Sequence, residues 1–211
     1  MDVHAPHEPV HTWRDFATHL LIVTIGLFIA LSLEAFVEYM HHRHLVHEAR
    51  QNIRREIENN RDAAQKDLGY LKANMGRISN NIVTLHELEQ NPTGHHYSVT
   101  NTMEFDDLSS AAWNTARDTG ALGFMPYDEV QRDADLYTLS AFVDTRANAT
   151  FQDNMLALST FRMGIDPDKF THEQFLEVLH ANANISIELD TLSQIVAQYS
   201  KQCDDVLRQS D

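Results

Sequence analysis

The chain carries two distinct patterns of apolar residues. From Phe16 to Leu33 it reads FATHLLIVTIGLFIALSL, interrupted only by Thr18, His19, Thr24 and Ser32. Wound as a helix, this run rises about 27 Å, or about 33 Å if continued to Val37, against a hydrocarbon core of about 30 Å. A helix satisfies its own backbone hydrogen bonds, so a transmembrane helix over 16–37 is the expected form, behind an N-terminal tail at 1–15. The competing reading is a cleaved signal peptide, with Ala30 and Ser32 as the small residues before the cut. Arg14 is the only Lys or Arg ahead of the run, and amphipathic helix follows it without a Pro or Gly, which favours the anchor.

Beyond Glu34 the pattern becomes periodic. Ile53, Ile57, Asn60, Ala64, Leu68, Leu71, Met75, Ile78, Ile82 and Leu85 recur at steps of three and four, one stripe of a helix. No Pro occurs between Glu34 and Glu89, so the membrane helix is expected to continue into a long stalk over 38–90. Asn-Pro and Thr-Gly then signal a loop over 91–104. A short helix is expected around Ser110 to Thr119, with a preceding Ser as cap, Trp113 turned inward and Gly120 as its stop. Pro126 suits a first helical turn, with Asp128 and Glu129 complementing the positive helix end. That helix should run to about Met163 with Val130, Ala134, Tyr137, Phe142, Phe151, Met155 and Leu158 inward. After a turn at Gly164-Ile-Asp-Pro-Asp, Thr171 and Gln174 form a capping-box pattern. Ile185, Leu189, Leu192, Val196, Tyr199, Cys203 and Val206 then alternate steps of four and three, a heptad seam. Leu176, Leu179, Ile187, Ile195 and Leu207 widen that face, which suits a bundle. The expected fold is all-α: an N-terminal transmembrane helix, a helical stalk, and a three- to four-helix antiparallel bundle whose segments over 105–211 pack on the stalk.

Composition narrows this further. Among 211 residues there are only 7 Gly and 5 Pro, too few for the turns of a sheet-rich fold. The formal charge of −15 argues against nucleic-acid binding, which draws on clustered Lys and Arg. The single cysteine, Cys203, excludes an intramolecular disulfide and a cysteine-rich zinc site.

Three groups of side chains invite a chemical reading. In EYMHHRHLVHE, Glu38 and His41 are three apart, and His44 and His47 follow on the same helix. Carboxylate and imidazole at that spacing share a metal in di-iron bundles, but such sites need ligands from facing helices. No second Glu-x-x-His is positioned to meet this one, so an interfacial belt at the lipid headgroups is the favoured reading, with no cofactor expected. Second, His19, Gly26, Ala30, Glu34 and Glu38 share roughly one face of the membrane helix. Gly26-x-x-x-Ala30 is a small-x-x-x-small spacing that lets helices approach closely, and a boundary carboxylate such as Glu34 favours protein or water over lipid. Third, Glu104, Asp106, Asp107 and Asp118 lie near Trp113, but no nucleophile or oxyanion donor accompanies them, and no enzyme is expected. Arg43, Arg50, Arg54 and Arg55 follow the span, which by the positive-inside rule leans the soluble part towards the cytoplasm, although long domains translocate regardless of charge.

Two stretches, LLIVTIGLFIALSLEAFVEYMHHRH and AAWNTARDTGALGFMPYDEVQRDADLY, together about a quarter of the chain, resemble a family of uncharacterised bacterial single-span membrane proteins known only by a domain of unknown function. That family's pattern is an apolar run with a V-I-G-x-x-I-A-L core leading into a long polar helix. An aromatic residue, a Gly-containing turn and a helix ending in Tyr follow, places that Trp113, Gly120 and Tyr137 would take. The His-rich flank departs from it, and the family's basic N-terminus is missing here. The resemblance implies a single-pass protein of the bacterial inner membrane and carries no activity with it. The expectation is therefore a membrane-anchored interaction or scaffold protein, in contact with lipid and either self-associating or joined to another membrane subunit. The alternative is a helical sensor, responsive to a ligand or to pH through its histidines, without an effector domain of its own.

Overall fold

The computed structural model describes residues 12–91, 99–100, 102–157, 159–163 and 169–209. All regular secondary structure among them is helical: α1 (Trp13–Gln90), α2 (Ala111–Asp118), a 3-10 turn (Ala121–Phe124), α3 (Tyr127–Ala157), α4 (Ser159–Arg162) and α5 (His172–Gln209). The chain divides into two compact units, Met1–Glu48 and Ala49–Asp211.

Within the first unit, one apolar stretch is long enough to cross a membrane, with a mean hydropathy of 2.5 and none of it buried against protein. Its polar interruptions are turned back onto the helix. Thr18 donates to the Arg14 carbonyl, Thr24 to Leu20 and Ser32 to Phe28, at 2.7–2.9 Å, and His19 Nδ1 lies 2.8 Å from the Asp15 carbonyl. Hydroxyls bonded to their own helix need no water, which makes this surface compatible with hydrocarbon.

The second unit is a bundle of three long helical segments. Arg50 of α1 grips Glu129 of α3 through two hydrogen bonds of 2.7 and 2.5 Å, and Glu56 meets Tyr137 one to two turns on, so these helices run parallel. Helix α5 opposes α1: Arg61 pairs with Asp204, Asn81 with Asn182, and Leu85 packs on Val178 and Leu179. It also opposes α3, placing Arg132 beside Gln209 and Asp153 beside Glu188. The bundle is thus antiparallel for the α1–α5 and α3–α5 pairs and parallel for α1–α3. A parallel pair needs a return crossing, and residues 102–110 supply it as non-helical chain.

Several local signals act as expected. Thr171 and Gln174 make a reciprocal capping box, and Gly120, at φ 78°, adopts the left-handed conformation that stops α2. Every residue of the α5 seam from Ile185 to Val206 is buried, whereas Leu176 and Ile187 on its flanks are exposed. Helix α3 buries Tyr137 as expected and half-buries Val130 and Ala134, but farther along it shows a different face. Phe142, Phe151 and Met155 are exposed, and the buried seam is Asp133, Leu136, Ser140, Val143, Ala147, Thr150, Asn154 and Ala157. Helix is described to Ala157 and again over Ser159–Arg162, with Met163 in a turn, while Leu158, also expected inward, and the whole turn at 164–168 lie outside the described residues.

Candidate functional site: a polar ladder beneath an extended strap

The stalk buries polar residues where an apolar stripe was expected. Its seam steps through Ile53, Ile57, Asn60, Ala64, Asp67, Leu71, Asn74, Ile78, Asn81, Leu85 and Leu88, in strict four-three alternation, all of them buried. Leu68, Met75 and Ile82, expected in the core, are only half-buried. One position of the heptad is therefore polar four times in succession, as Asn60, Asp67, Asn74 and Asn81.

The returning chain explains this choice. Extended backbone without a neighbouring strand must find hydrogen-bond partners elsewhere, and an Asn amide offers one donor and one acceptor together. Asn81 donates to the Thr100 carbonyl at 2.9 Å and accepts the Thr100 N–H at 3.2 Å. Asn60 does the same with Ser109, at 2.7 and 2.9 Å. Asn74 donates to the Glu104 carbonyl, and Asp67 Oδ1 accepts the Asp106 N–H at 2.9 Å. Asn60 and Asn81 stand about 31 Å apart along a helix. The nine residue steps from Thr100 to Ser109 cover about 30 Å when extended. Seven helical residues thus answer roughly three extended ones, and the strap can run the length of the ladder.

At its lower end the strap enters α2 over Glu56. The hydroxyl of Ser109, the Ser that precedes Ser110, accepts the Ala111 N–H at 3.3 Å, while Ser110 itself makes no side-chain capping bond. The N-terminus of α2 is further capped from α1: Glu56 accepts the Ala112 N–H at 2.8 Å, the Trp113 N–H at 3.2 Å, the Ser109 hydroxyl at 2.7 Å and the Tyr137 hydroxyl at 2.7 Å. Trp113 stacks on Tyr137 with ring centroids 5.1 Å apart. Burial alone raises the Glu56 pKa, but the donors from Ala112, Ser109, Tyr137 and Trp113 outweigh it, and the carboxylate ionises below its usual range. Tyr137 is held firmly protonated by burial and by donating to Glu56. One level up, Asn60 of α1 and Ser140 of α3 hydrogen-bond the buried Tyr199 hydroxyl of α5, joining three helices.

No family model matches the chain, and no curated protein or solved structure is detectably similar to it. Its chemistry must therefore be read from the side chains alone. Two buried carboxyls are poorly satisfied. Asp67 is fully buried with Oδ2 unpartnered, and Asp133 is 4% exposed with Oδ1 unpartnered and 3.6 Å from Arg132 Nε. Burial pushes each pKa up to about 6. Between α3, α4 and α5 a solvent-open cavity of about 600 Å³ is lined by Asp153, Glu177, Glu188, Leu156 and Ile187, with the Glu188 pKa raised by burial and by Asp153. Cys203 is buried, its pKa raised to about 11, so the thiol is protonated and unreactive at neutral pH.

The candidate residues read from sequence fall as follows. Glu38 lies 3.9 Å from His42, not His41, and His44 lies 3.2 Å from Glu48. His41, His44 and His47 are exposed, and among the described residues no group of three or more His, Cys, Asp or Glu is placed to hold a metal ion. His19, Gly26, Ala30 and Glu34 are exposed on α1, and a Cβ added at Gly26 would meet nothing within 4 Å. Asp106 pairs with Lys66 at 2.8 Å and Asp118 with Arg117 at 3.2 Å. The ladder itself was overlooked. Its signal was present as Asn or Asp at every seventh position from 60 to 81.

Proposed function

We propose that this chain is a single-pass, membrane-anchored helical interaction protein, an accessory subunit of a larger membrane assembly or a homo-oligomer, held in the bacterial inner membrane by the helix that opens α1. The observation that carries this reading is the 18-residue window with mean hydropathy 2.5, none of it covered by protein, whose hydroxyls are internally bonded. Such a surface requires lipid or another helix. The second unit adds support of a different kind: its buried polar groups hold chain segments in register, and the buried Tyr137 and Cys203 are held protonated. The resemblance to bacterial single-span proteins agrees with the location. The charge of −15 disfavours nucleic acid as a partner.

The contact face is His19, Gly26, Ala30 and Glu34, and the test is the double variant Gly26→Leu, Ala30→Leu. Purified in mild detergent, it should lose protein mass from its complex or lose co-purifying membrane proteins. Unchanged mass together with unchanged co-purifying proteins would sink the proposed face.

A further inference from the structure

The four ladder positions are not equivalent. Asn60 and Asn81 each close a two-bond rung on a single strap residue, accepting its N–H and donating to its carbonyl. Asp67 accepts the Asp106 N–H through Oδ1 in the same manner, but its other oxygen, Oδ2, is buried and has no partner. An ionised carboxyl has no hydrogen to offer the strap; a protonated one has an O–H in the place of the amide N–H. We propose that residues 102–110 form a proton-operated latch, closed on α1 when Asp67 carries a proton and loosened when Asp67 is ionised. This does not rest on the anchoring function proposed above.

The surroundings of Asp67 favour the proton. The strap contributes the Asp106 carboxylate and α3 contributes Asp144, both negative, and the Lys66 ammonium on α1 is drawn to Asp106 at 2.8 Å. On α5 the antiparallel register brings the apolar Val196 to this level. Binding of the proton from solvent neutralises the one buried carboxyl in the row and completes its rung. Ionisation leaves a buried charge with a single hydrogen bond, a state relieved by letting water reach it through strap movement. The sign follows from the raised pKa: the docked strap holds the proton more tightly than the released one, so docking is strongest in mild acid and weakens as pH rises through about 6. With a released-state value of about 3.9, linkage gives about a tenfold weaker latch at pH 8 than at pH 5.

Amide hydrogen exchange of the full chain in detergent, read on a peptide covering 102–110 and corrected for the intrinsic pH dependence of exchange, tests this directly. The wild-type strap should exchange about tenfold faster at pH 8 than at pH 5, while a reference peptide within the α5 seam does not. Asp67→Asn, which supplies the missing donor permanently, should hold the strap at its pH 5 protection at both values. Asp133→Asn, altering another carboxyl whose pKa is raised to about 6, should keep the wild-type response. Equal wild-type protection at the two pH values overturns the latch, and so does an undiminished response in Asp67→Asn.

Discussion

Glu56 is the side chain on which most segments converge, and Glu56→Gln gives a worked test of the bundle's polar core. The carboxylate accepts four hydrogen bonds, two at each oxygen: Trp113 N–H and Tyr137 O–H at Oε1, Ser109 O–H and Ala112 N–H at Oε2. Gln keeps one acceptor and replaces the other with a donor. The hydroxyls of Tyr137 and Ser109 can rotate to accept instead, but the backbone N–H groups cannot, so either amide orientation leaves one N–H of α2 facing a donor. Hydrogen bonds to a charged group contribute about 1.5–3 kcal/mol each, and an unsatisfied buried donor costs about 1–3 kcal/mol. With partial recovery through the hydroxyls, the net loss should be about 2–4 kcal/mol, a fall in Tm of roughly 5–15 °C for a unit of this size. Circular dichroism melts, with Trp113 fluorescence as a local probe, read the effect. The pH dependence adds a second check. The Glu56 pKa is depressed, so its stabilisation is present above the usual carboxylate range and disappears as pH falls through the folded-state value. The deficit of Glu56→Gln should therefore shrink as pH falls from 6 towards 2.5. A variant melting within about 1 °C of the parent at pH 7, or a deficit that does not shrink in acid, would refute the reasoning.

Other consequences follow from the same geometry. Asp133 has an elevated pKa, about 6, so the folded state binds its proton more tightly than the unfolded chain, and stability should rise as pH is lowered from 8 to 5.5. Asp133→Asn should raise Tm at pH 8 and flatten that slope, by at most about 3 kcal/mol for a two-unit shift; an unaltered slope in urea melts at the two pH values would contradict it. Asn81→Ala removes both bonds to Thr100 and should cost about 1–2 kcal/mol while speeding proteolysis near the start of the strap, whereas a protein as resistant as the parent would show that this rung holds nothing. Cys203 should resist a thiol reagent at pH 8 until the bundle is unfolded with urea, because it is buried and protonated; prompt labelling of native protein would place it elsewhere.

How far the fold could be read in advance depended on which residue types lined each seam. The α5 seam is apolar at every step from Ile185 to Val206, and there periodicity and burial coincide. On α3 the large apolar residues Phe142, Phe151 and Met155 drew attention, yet they are exposed, while Asp133, Ser140, Thr150 and Asn154 are buried. A hydrophobicity pattern treats such residues as solvent-facing, because it cannot know that partners exist inside. Ser140 reaches Tyr199, and Thr150 bonds back to the Arg146 carbonyl. The stalk poses the same difficulty more sharply. Asn60 fell within the expected stripe by spacing alone, but Asp67, Asn74 and Asn81 were displaced in the reading by Leu68, Met75 and Ile82, their immediate neighbours. The strap that satisfies them is distant in sequence and has no hydrophobic period of its own. The capping of α2 is only half legible for a related reason: the preceding Ser109 accepts the Ala111 N–H, as local rules suggest, while the acceptor for Ala112 and Trp113 is Glu56, more than 50 residues earlier.

A ladder of equivalent asparagines carries a risk that the rest of the unit has to remove. If every rung were alike, the strap could slide by one heptad, about 10 Å, and find the same donors and acceptors again. Three features make the rungs unequal. Above Asn81 the next heptad position is Leu88, packed with Phe170 and Phe175, which offers no polar atom to a displaced strap. In the middle, Asp67 accepts the Asp106 N–H through one oxygen and keeps the other buried without a partner, so this rung differs from those of the flanking asparagines. Below Asn60, Glu56 accepts two backbone N–H groups and two hydroxyls that exist together only where Ser109, α2 and Tyr137 meet. Buried polar groups contribute little net stability but penalise alternatives strongly, since a wrong register strands each of them without a partner. Register control is what a parallel α1–α3 pair demands, because its crossing is a long strap rather than a short turn that would set the alignment by itself. The polar seam and the parallel topology are therefore one solution: the chain gives up apolar burial along α1 to specify where its own return segment lies.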